Sequence, residues 1–160
     1  MKYRASGAST GRRAKASRAC LKCLAAAMDE TLCGVCGGAV ERFDSKAELR
    51  RYGELKLLER AGKIRTLRAH PRYDLLVTSY EHRHHPHALT EKVGTYSPDF
   101  EYTAINPGGD TARVIEDVKP CRTVKNRNGA TTKKAIITPD AALRIKLFEA
   151  LYSHKVRIVV

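Results

Sequence analysis

Two Cys-x-x-Cys pairs, Cys20-Leu21-Lys22-Cys23 and Cys33-Gly34-Val35-Cys36, stand nine residues apart in the first quarter of the chain. No other feature narrows the local fold so far. Each pair forms a tight knuckle with both sulfurs on one side of a turn, and two knuckles supply the four thiolates of a tetrahedral zinc site. Gly34, Gly37 and Gly38 suit turns that need positive φ and close approach of N–H to sulfur. Zinc would supply the folding energy that so short a segment lacks. Redox dithiols and free thiols are the alternatives, but no strand is expected ahead of either pair, as a thioredoxin-like motif requires. The spacing therefore predicts a zinc knuckle over residues 20–40. Four thiolates leave no open coordination position, so this zinc is structural.

The 160 residues amount to one ordinary domain with a small appendage. Lys and Arg outnumber Asp and Glu by 30 to 17, giving a formal net charge of +13 and a pI near 9.8. Such an excess points to a polyanionic partner, nucleic acid first among them. A basic surface kept for solubility, or a protein that uses ribosomal RNA as its counterion, is the plainer reading. No apolar run approaches the roughly 18 residues needed to span a bilayer, and the N-terminus lacks the apolar core of a secretory signal. A reducing, cytoplasmic setting and no membrane partner are expected, with cysteines as metal ligands or thiols rather than disulfides. Residues 1–19 carry Lys2, Arg4, Arg12, Arg13, Lys15 and Arg18 without one acid. They read as a flexible basic arm, with Arg12, Arg13, Lys15 and Arg18 placed to lie along phosphates.

Beyond the knuckle, residues 46–61 carry Tyr52, Leu55, Leu58 and Ala61 as an apolar stripe at helical spacing. Asp44 or Ser45 can cap this helix and Gly62 ends it. Glu48 has two readings. It faces inward at the edge of the stripe, as an acid directed at a sheet would; Ser45-x-x-Glu48 is also a capping box. From Arg65 to Tyr80 the pattern turns extended, with Tyr73, Leu75 and Val77 alternating after Pro71. His82, His84, His85 and His87 lack helical spacing and a nearby Cys or Asp, so a solvated hairpin loop touching DNA is expected rather than a second metal site.

Gly94 to Ala104 reads as a strand, Asn106-Pro-Gly-Gly-Asp110 as a turn, and Thr111 to Lys119 as the next strand, stopped by Pro120. Residues 121–134 read as a polar loop whose only charges are Arg122, Lys125, Arg127, Lys133 and Lys134, suited to phosphate. Cys121 receives no role. Pro139 and Asp140 open a helix over Ala141–Tyr152, with Leu143, Leu147, Ala150 and Leu151 as its buried side, and 156–160 forms a short strand. The order describes an α/β domain with a mixed sheet, over residues 41–160.

The chemistry concentrates between Tyr96 and Lys119. Residues two apart on a strand share a face, so Asp117 projects with Lys119, and Glu116 points the other way. Asp99 is expected on the preceding strand of the same hairpin. Two carboxylates and an amine at a sheet edge can hold a hard divalent cation such as Mg²⁺ and set up in-line hydrolysis of a phosphodiester. Lys119 would orient the water and stabilise developing charge. Glu116 ranks behind Asp117 as a ligand. Asp117 and Lys119 can equally be an exposed salt pair of small consequence.

Pro98-Asp99 followed by Asp117-Val118-Lys119 resembles the PD-(D/E)XK nuclease superfamily. The longer texture, Ser45-Lys-Ala-Glu48, the LLERAGKI run, YSPDF and IEDVK, is similar to a phage-encoded branch related to Holliday-junction resolvases and other branched-DNA endonucleases. The resemblance covers residues 43–160. It implies a restriction-endonuclease-like mixed sheet flanked by helices and Mg²⁺- or Mn²⁺-dependent cleavage of DNA. Asp99 and Asp117 would be metal ligands, Lys119 the catalytic lysine and Glu48 a helix-borne acid and third ligand. Pro120 stands where that branch tends to have Gly, and His70-Pro71 where relatives often show Gln-Pro. The implied protein is an endonuclease acting on branched DNA as a homodimer, in the host cytoplasm if phage-encoded. A nicking or repair nuclease of the same fold, and a non-catalytic zinc-ribbon nucleic-acid-binding protein, are the alternatives.

Overall fold

A computed structural model describes residues 17–26, 31–79, 89–125 and 127–160, and these form an α/β arrangement. The chain divides into two units, Met1–Arg50 and Arg51–Val160. In the first, strand β1 (Ser17–Cys20) pairs antiparallel with β2 (Val40–Phe43), so Ser17 faces Phe43 and Cys20 faces Val40. A strand therefore does run into the first Cys pair, contrary to expectation, because Ser17-Arg-Ala-Cys20 is held by its partner strand rather than by its own propensity. Of the basic arm expected over 1–19, residues 1–16 lie outside the described residues and Ser17–Ala19 belong to β1.

Helix α1 (Lys46–Arg60) opens in the first unit and continues into the second. Its end is built by Gly62, whose φ of 69° lets Lys63 N donate to Leu58 O at 3.0 Å and Gly62 N to Glu59 O at 3.0 Å. These are the two bonds of a Schellman stop. Of the expected stripe, Tyr52 and Leu55 are buried, Leu58 is half-buried and Ala61, already past the last turn, is exposed.

The second unit holds β3 (Ile64–Ala69), β4 (Tyr73–Ser79), β5 (Leu89–Tyr96), β6 (Phe100–Ile105), β7 (Thr111–Val118), β8 (Cys121–Lys125), β9 (Thr131–Ala135), α2 (Pro139–Tyr152) and β10 (Val156–Val159). One four-stranded sheet has the order β10-β7-β6-β3 and is mixed, since β10 runs parallel to β7 and the other pairs are antiparallel. The pairs β4–β5 and β8–β9 form separate two-stranded sheets. His82, His84, His85 and His87 fall between β4 and β5, outside the described residues.

Three expectations change here. The strand read as continuous over 94–104 is cut at Ser97-Pro98-Asp99, so β5 pairs with β4 while β6 pairs with β7. Pro98 has no N–H to give a ladder, and the break lets the chain change sheets with Asp99 at the corner. The loop expected over 121–134 is a hairpin, with Arg122 opposite Lys134 and Lys125 opposite Thr131. Its connection between Lys125 and Thr131 contains Gly129 at φ 80°, the left-handed position that longer hairpin loops give to glycine. The charged composition masked that signal. Finally, α2 buries Ile145 and Phe148, whereas Leu143, Ala150 and Leu151 are exposed. Apolar residues occur on several faces of this helix, so spacing alone did not select its packed side.

Phe148 centres the core. Its ring lies 4.9 Å from Tyr73, 5.0 Å from Tyr96 and 4.9 Å from Tyr152, and Ile115, Leu75 and Ile145 complete the cluster. On the other face of β7, Glu116 is wholly buried. Arg51 Nε and Nη2 donate to its two oxygens at 2.9 Å each, and Tyr102 Oη donates at 2.7 Å. Burial first, then the Glu116 carboxylate, pushes the Tyr102 hydroxyl up to about 12 and keeps it a donor. Among the described residues no buried side-chain polar atom lacks a hydrogen-bond partner. Removing one member of a buried pair leaves the other charge uncompensated. Arg51→Met is therefore expected to lower stability by about 3 kcal/mol in a denaturant titration; a loss under about 0.5 kcal/mol would mean that Tyr102 and Arg157, whose Nη1 stands 3.4 Å from Glu116 Oε1, suffice for Glu116.

Candidate metal centre and acid–lysine cleft

The sulfurs of Cys20, Cys23, Cys33 and Cys36 all lie within 4.8 Å of one another. Cys20 Sγ is 3.4 Å from Cys36 Sγ, and Cys23 Sγ is 3.6 Å from Cys33 Sγ. A tetrahedron with Zn–S bonds of about 2.3 Å has sulfurs roughly 3.8 Å apart, so the four thiols could hold a metal such as zinc. The two knuckles repeat one another. Leu24 N donates to Cys20 O at 3.0 Å and Gly37 N to Cys33 O at 2.8 Å. Leu24 and Gly37, each directly after the second cysteine of its pair, have φ of 64° and 63°. The left-handed position was expected at glycines, and in the first knuckle a leucine takes it. Gly34 and Gly38 do not have positive φ. Gly38 is required for space instead, since a Cβ there would meet Lys22 Cβ at 2.9 Å and Cys20 Sγ at 3.0 Å.

The backbone around the cluster favours one thiolate over the others. Backbone N–H groups of Cys23 and Lys22 point at Cys20 Sγ at 3.5 and 3.3 Å. Chiefly through the first of these, the Cys20 thiol is lowered to about 6. For Cys23 the N–H of Ala25 acts in the same direction, but Cys36, burial and the other sulfurs outweigh it and the thiol is raised to about 12. One thiolate is accommodated by backbone dipoles; four need a metal.

In the second unit, Asp117 and Lys119 meet as their strand spacing predicts. Lys119 Nζ donates to Asp117 Oδ1 at 2.6 Å, and Tyr96 Oη donates to Oδ2 at 3.1 Å. The pair is not an exposed salt bridge, for the Asp117 side chain is 4% exposed and that of Lys119 21%. Asp99, at the corner before β6, accepts from Val118 N at 2.6 Å, which ties it to the residue between Asp117 and Lys119. Burial first, then Asp117 and its bond, then Asp99, raise the Tyr96 hydroxyl far above its usual range, so it remains a proton donor. Glu116 points to the opposite face, as strand alternation predicts, and is bound there by Arg51. Asp117 and Lys119 open onto a cleft of about 430 Å³ whose other wall is the start of α2.

Glu48 satisfies the capping reading. Glu48 N donates to Ser45 Oγ at 3.1 Å, and its own Oε2 accepts from Asp44 N at 3.0 Å, one residue earlier than expected. It lies in the first unit, whereas Asp99, Asp117 and Lys119 lie in the second.

Sequence reasoning missed two residues. His70 N donates to Asp99 O at 2.9 Å, and a ring nitrogen of His70 lies within 4.8 Å of an Asp99 carboxylate oxygen. Its φ of 46°, directly before a proline, is an uncommon backbone state. Tyr96 was the other; its hydroxyl partner stands 21 residues further along. Neither contact is encoded by local spacing.

The expected phosphate contacts Arg122, Lys125, Arg127, Lys133 and Lys134 are exposed on the β8–β9 hairpin and its turn. Arg122 and Lys134 are cross-strand neighbours of like charge, an arrangement that repels. Arg18 is in β1, and Arg12, Arg13 and Lys15 lie outside the described residues. Among the described residues no helix is long and apolar enough to cross a membrane.

What these features define is an α/β chain with a four-thiol cluster in one unit and an acid–lysine cleft in the other. The chain belongs to the family described as "Protein of unknown function (DUF1064)", which matches residues 39–131. That stretch contains Glu48, His70, Asp99, Asp117 and Lys119 but none of the four clustered cysteines. No curated protein and no solved structure matches the chain.

Purified protein is expected to carry about one zinc per chain, and Gly38→Ala to lose most of it, because the added methyl enters the space of Cys20 Sγ. Metal analysis of the two proteins decides the point: a Gly38→Ala protein that retains full zinc would remove the steric argument.

Proposed function

We propose that the chain is a divalent-metal-dependent DNA endonuclease with a restriction-endonuclease-like core, acting on branched DNA such as a four-way junction, as a homodimer. The observation that carries the reading is the buried Asp117–Lys119 pair at the end of β7, tethered through Val118 to Asp99. The pattern resembles PD-(D/E)XK nucleases, and the β7–β6 core of a mixed sheet is where that resemblance places its acids. Asp99 and Asp117 would hold Mg²⁺ or Mn²⁺, a hard cation suited to carboxylate oxygens. Such an ion would neutralise charge at phosphorus and lower the pKa of the attacking water.

Each residue then has its own task. Lys119 orients the nucleophile and offsets charge on the phosphoryl oxygens. Tyr96 holds the second oxygen of Asp117 and fixes its rotamer. His70 abuts Asp99 and takes the place where relatives often show Gln, as a further orienting group. The like-charged Arg122 and Lys134 supply a hairpin that an anionic backbone would relieve. The basic arm, with Arg12, Arg13, Lys15 and Arg18, adds phosphate contacts, and the zinc knuckle serves as a structural mount. Two copies related by a two-fold axis would cut symmetric strands of a junction.

One observation favours the non-catalytic alternative, a zinc-ribbon nucleic-acid-binding protein. Both oxygens of Asp117 already accept hydrogen bonds, so a cation must displace or share one of them. The two readings separate cleanly. With Mg²⁺ or Mn²⁺ and labelled junction, duplex and single-stranded DNA, the junction is expected to be cut fastest. Asp117→Asn, Asp99→Asn and Lys119→Met should each lower the rate roughly 10²- to 10³-fold while leaving junction binding in place. Wild-type cutting by Asp117→Asn and Asp99→Asn would sink the nuclease reading, as would salt-sensitive binding without any metal-dependent cutting.

A further inference from the structure

The cleft beside Asp117 and Lys119 is lined by two arginines that no motif marks. Arg72 comes from the segment between β3 and β4, and Arg144 from the second turn of α2. With Lys119, three cations from three separate segments face one opening, against the carboxylates of Asp117 and Asp140. The pairing within the cleft is uneven. Lys119 is bound tightly to buried Asp117, at 2.6 Å. Arg144 reaches Asp140 at only 3.3 Å, one helical turn away, with both side chains more than half exposed. An exposed i,i+4 contact of this kind is weak and readily exchanged. Arg72 is exposed, and its charge contributes in small part to holding the Asp74 carboxyl below its usual range, where Lys92 is the main cause.

We infer that this cleft is a binding subsite for a backbone phosphodiester of the DNA substrate, held by Arg72 and Arg144 next to the phosphate that Asp117 and Lys119 act upon. The inference rests on the DNA-nuclease reading and names residues that reading does not use. A guanidinium presents a planar fork of donors that matches two phosphate oxygens, and here two separate segments each contribute one to the lining. At about 430 Å³ the space exceeds what one phosphate group fills and admits an attached sugar. Asp140 opposes the anion and competes for Arg144. The subsite therefore makes a prediction of opposite sign for its two partners: removing Arg144 weakens binding, and neutralising Asp140 strengthens it. A purely structural helix-surface pair would show neither effect.

The test is fluorescence anisotropy of the full-length protein on a labelled four-way junction, with Ca²⁺ in place of Mg²⁺ so that binding is read without cutting. Arg72→Ala and Arg144→Ala should each raise Kd roughly three- to tenfold and flatten the slope of log Kd against log salt by about one. Asp140→Asn should lower Kd. Arg65→Ala removes the same charge from exposed β3 and should leave the slope unchanged. Unaltered slopes for Arg72→Ala and Arg144→Ala, or an equal change in Arg65→Ala, would overturn the subsite. The two proposals fail separately: absence of Mg²⁺-dependent cutting with arginine-sensitive binding removes the nuclease and leaves the subsite. Cutting with arginine-insensitive binding does the reverse.

Discussion

The capture of Glu116 by Arg51 determines what the rest of β7 can present. Glu116 and Asp117 are adjacent carboxylates on one strand, and a slip of one residue would exchange their faces. A bidentate guanidinium, reinforced by Tyr102, holds Glu116 on one side of the sheet. Asp117 is thereby delivered to the other, where Tyr96 and Lys119 receive it. An ion pair this deeply buried contributes modest net stability, since desolvation offsets most of its attraction. Its value here is in register: it makes the wrong pairing far more costly than the right one.

The aromatic core performs the matching task on the opposite face. Tyr96 lays its ring against Phe148 and extends its hydroxyl to Asp117, so one side chain belongs to both core and cleft. Packing against Phe148 from α2 removes the freedom that a surface tyrosine would have. The acid is oriented by a group that is itself immobilised, which is how a site keeps its geometry without depending on loops.

What could be read from the sequence followed the range of the interactions. The knuckles, α1 with its Gly62 stop, and the shared face of Asp117 and Lys119 depend on spacings of a few residues, and these were legible. The capping box at Ser45 and Glu48 was legible as one of two readings, and the hydrogen bonds show it formed. The partners of Tyr96 and His70 were not, since each contact joins segments more than 20 residues apart. The break at Pro98 was visible as a residue and unread as an event: alternation continued across it, while the missing N–H moved the chain to another sheet. In the basic hairpin Gly129 was present in plain view, and charge was taken for the absence of structure. On α2, apolar residues around the helix left the packed face undetermined until Tyr73 and Tyr96 selected Phe148.

The parallel pairing of β10 with β7 bears on the order in which the molecule can be made. Lys119 N donates to Val159 O at 2.8 Å, and Ile158 lies beside Asp117 in the register. The family match ends at residue 131, so the strand that braces the Asp117–Lys119 pair lies beyond it. During synthesis β7 leaves the ribosome some 40 residues before β10, and until residue 159 emerges β7 is an unpaired edge. Phe148, too, arrives after Tyr73, Tyr96 and Ile115, which it packs against. The nascent chain therefore passes through a stage in which the acids and the lysine all exist, with β6 on one side of β7 but neither Phe148 nor β10 yet in place. Completion of the cleft is then tied to the emergence of β10 rather than to the motif itself.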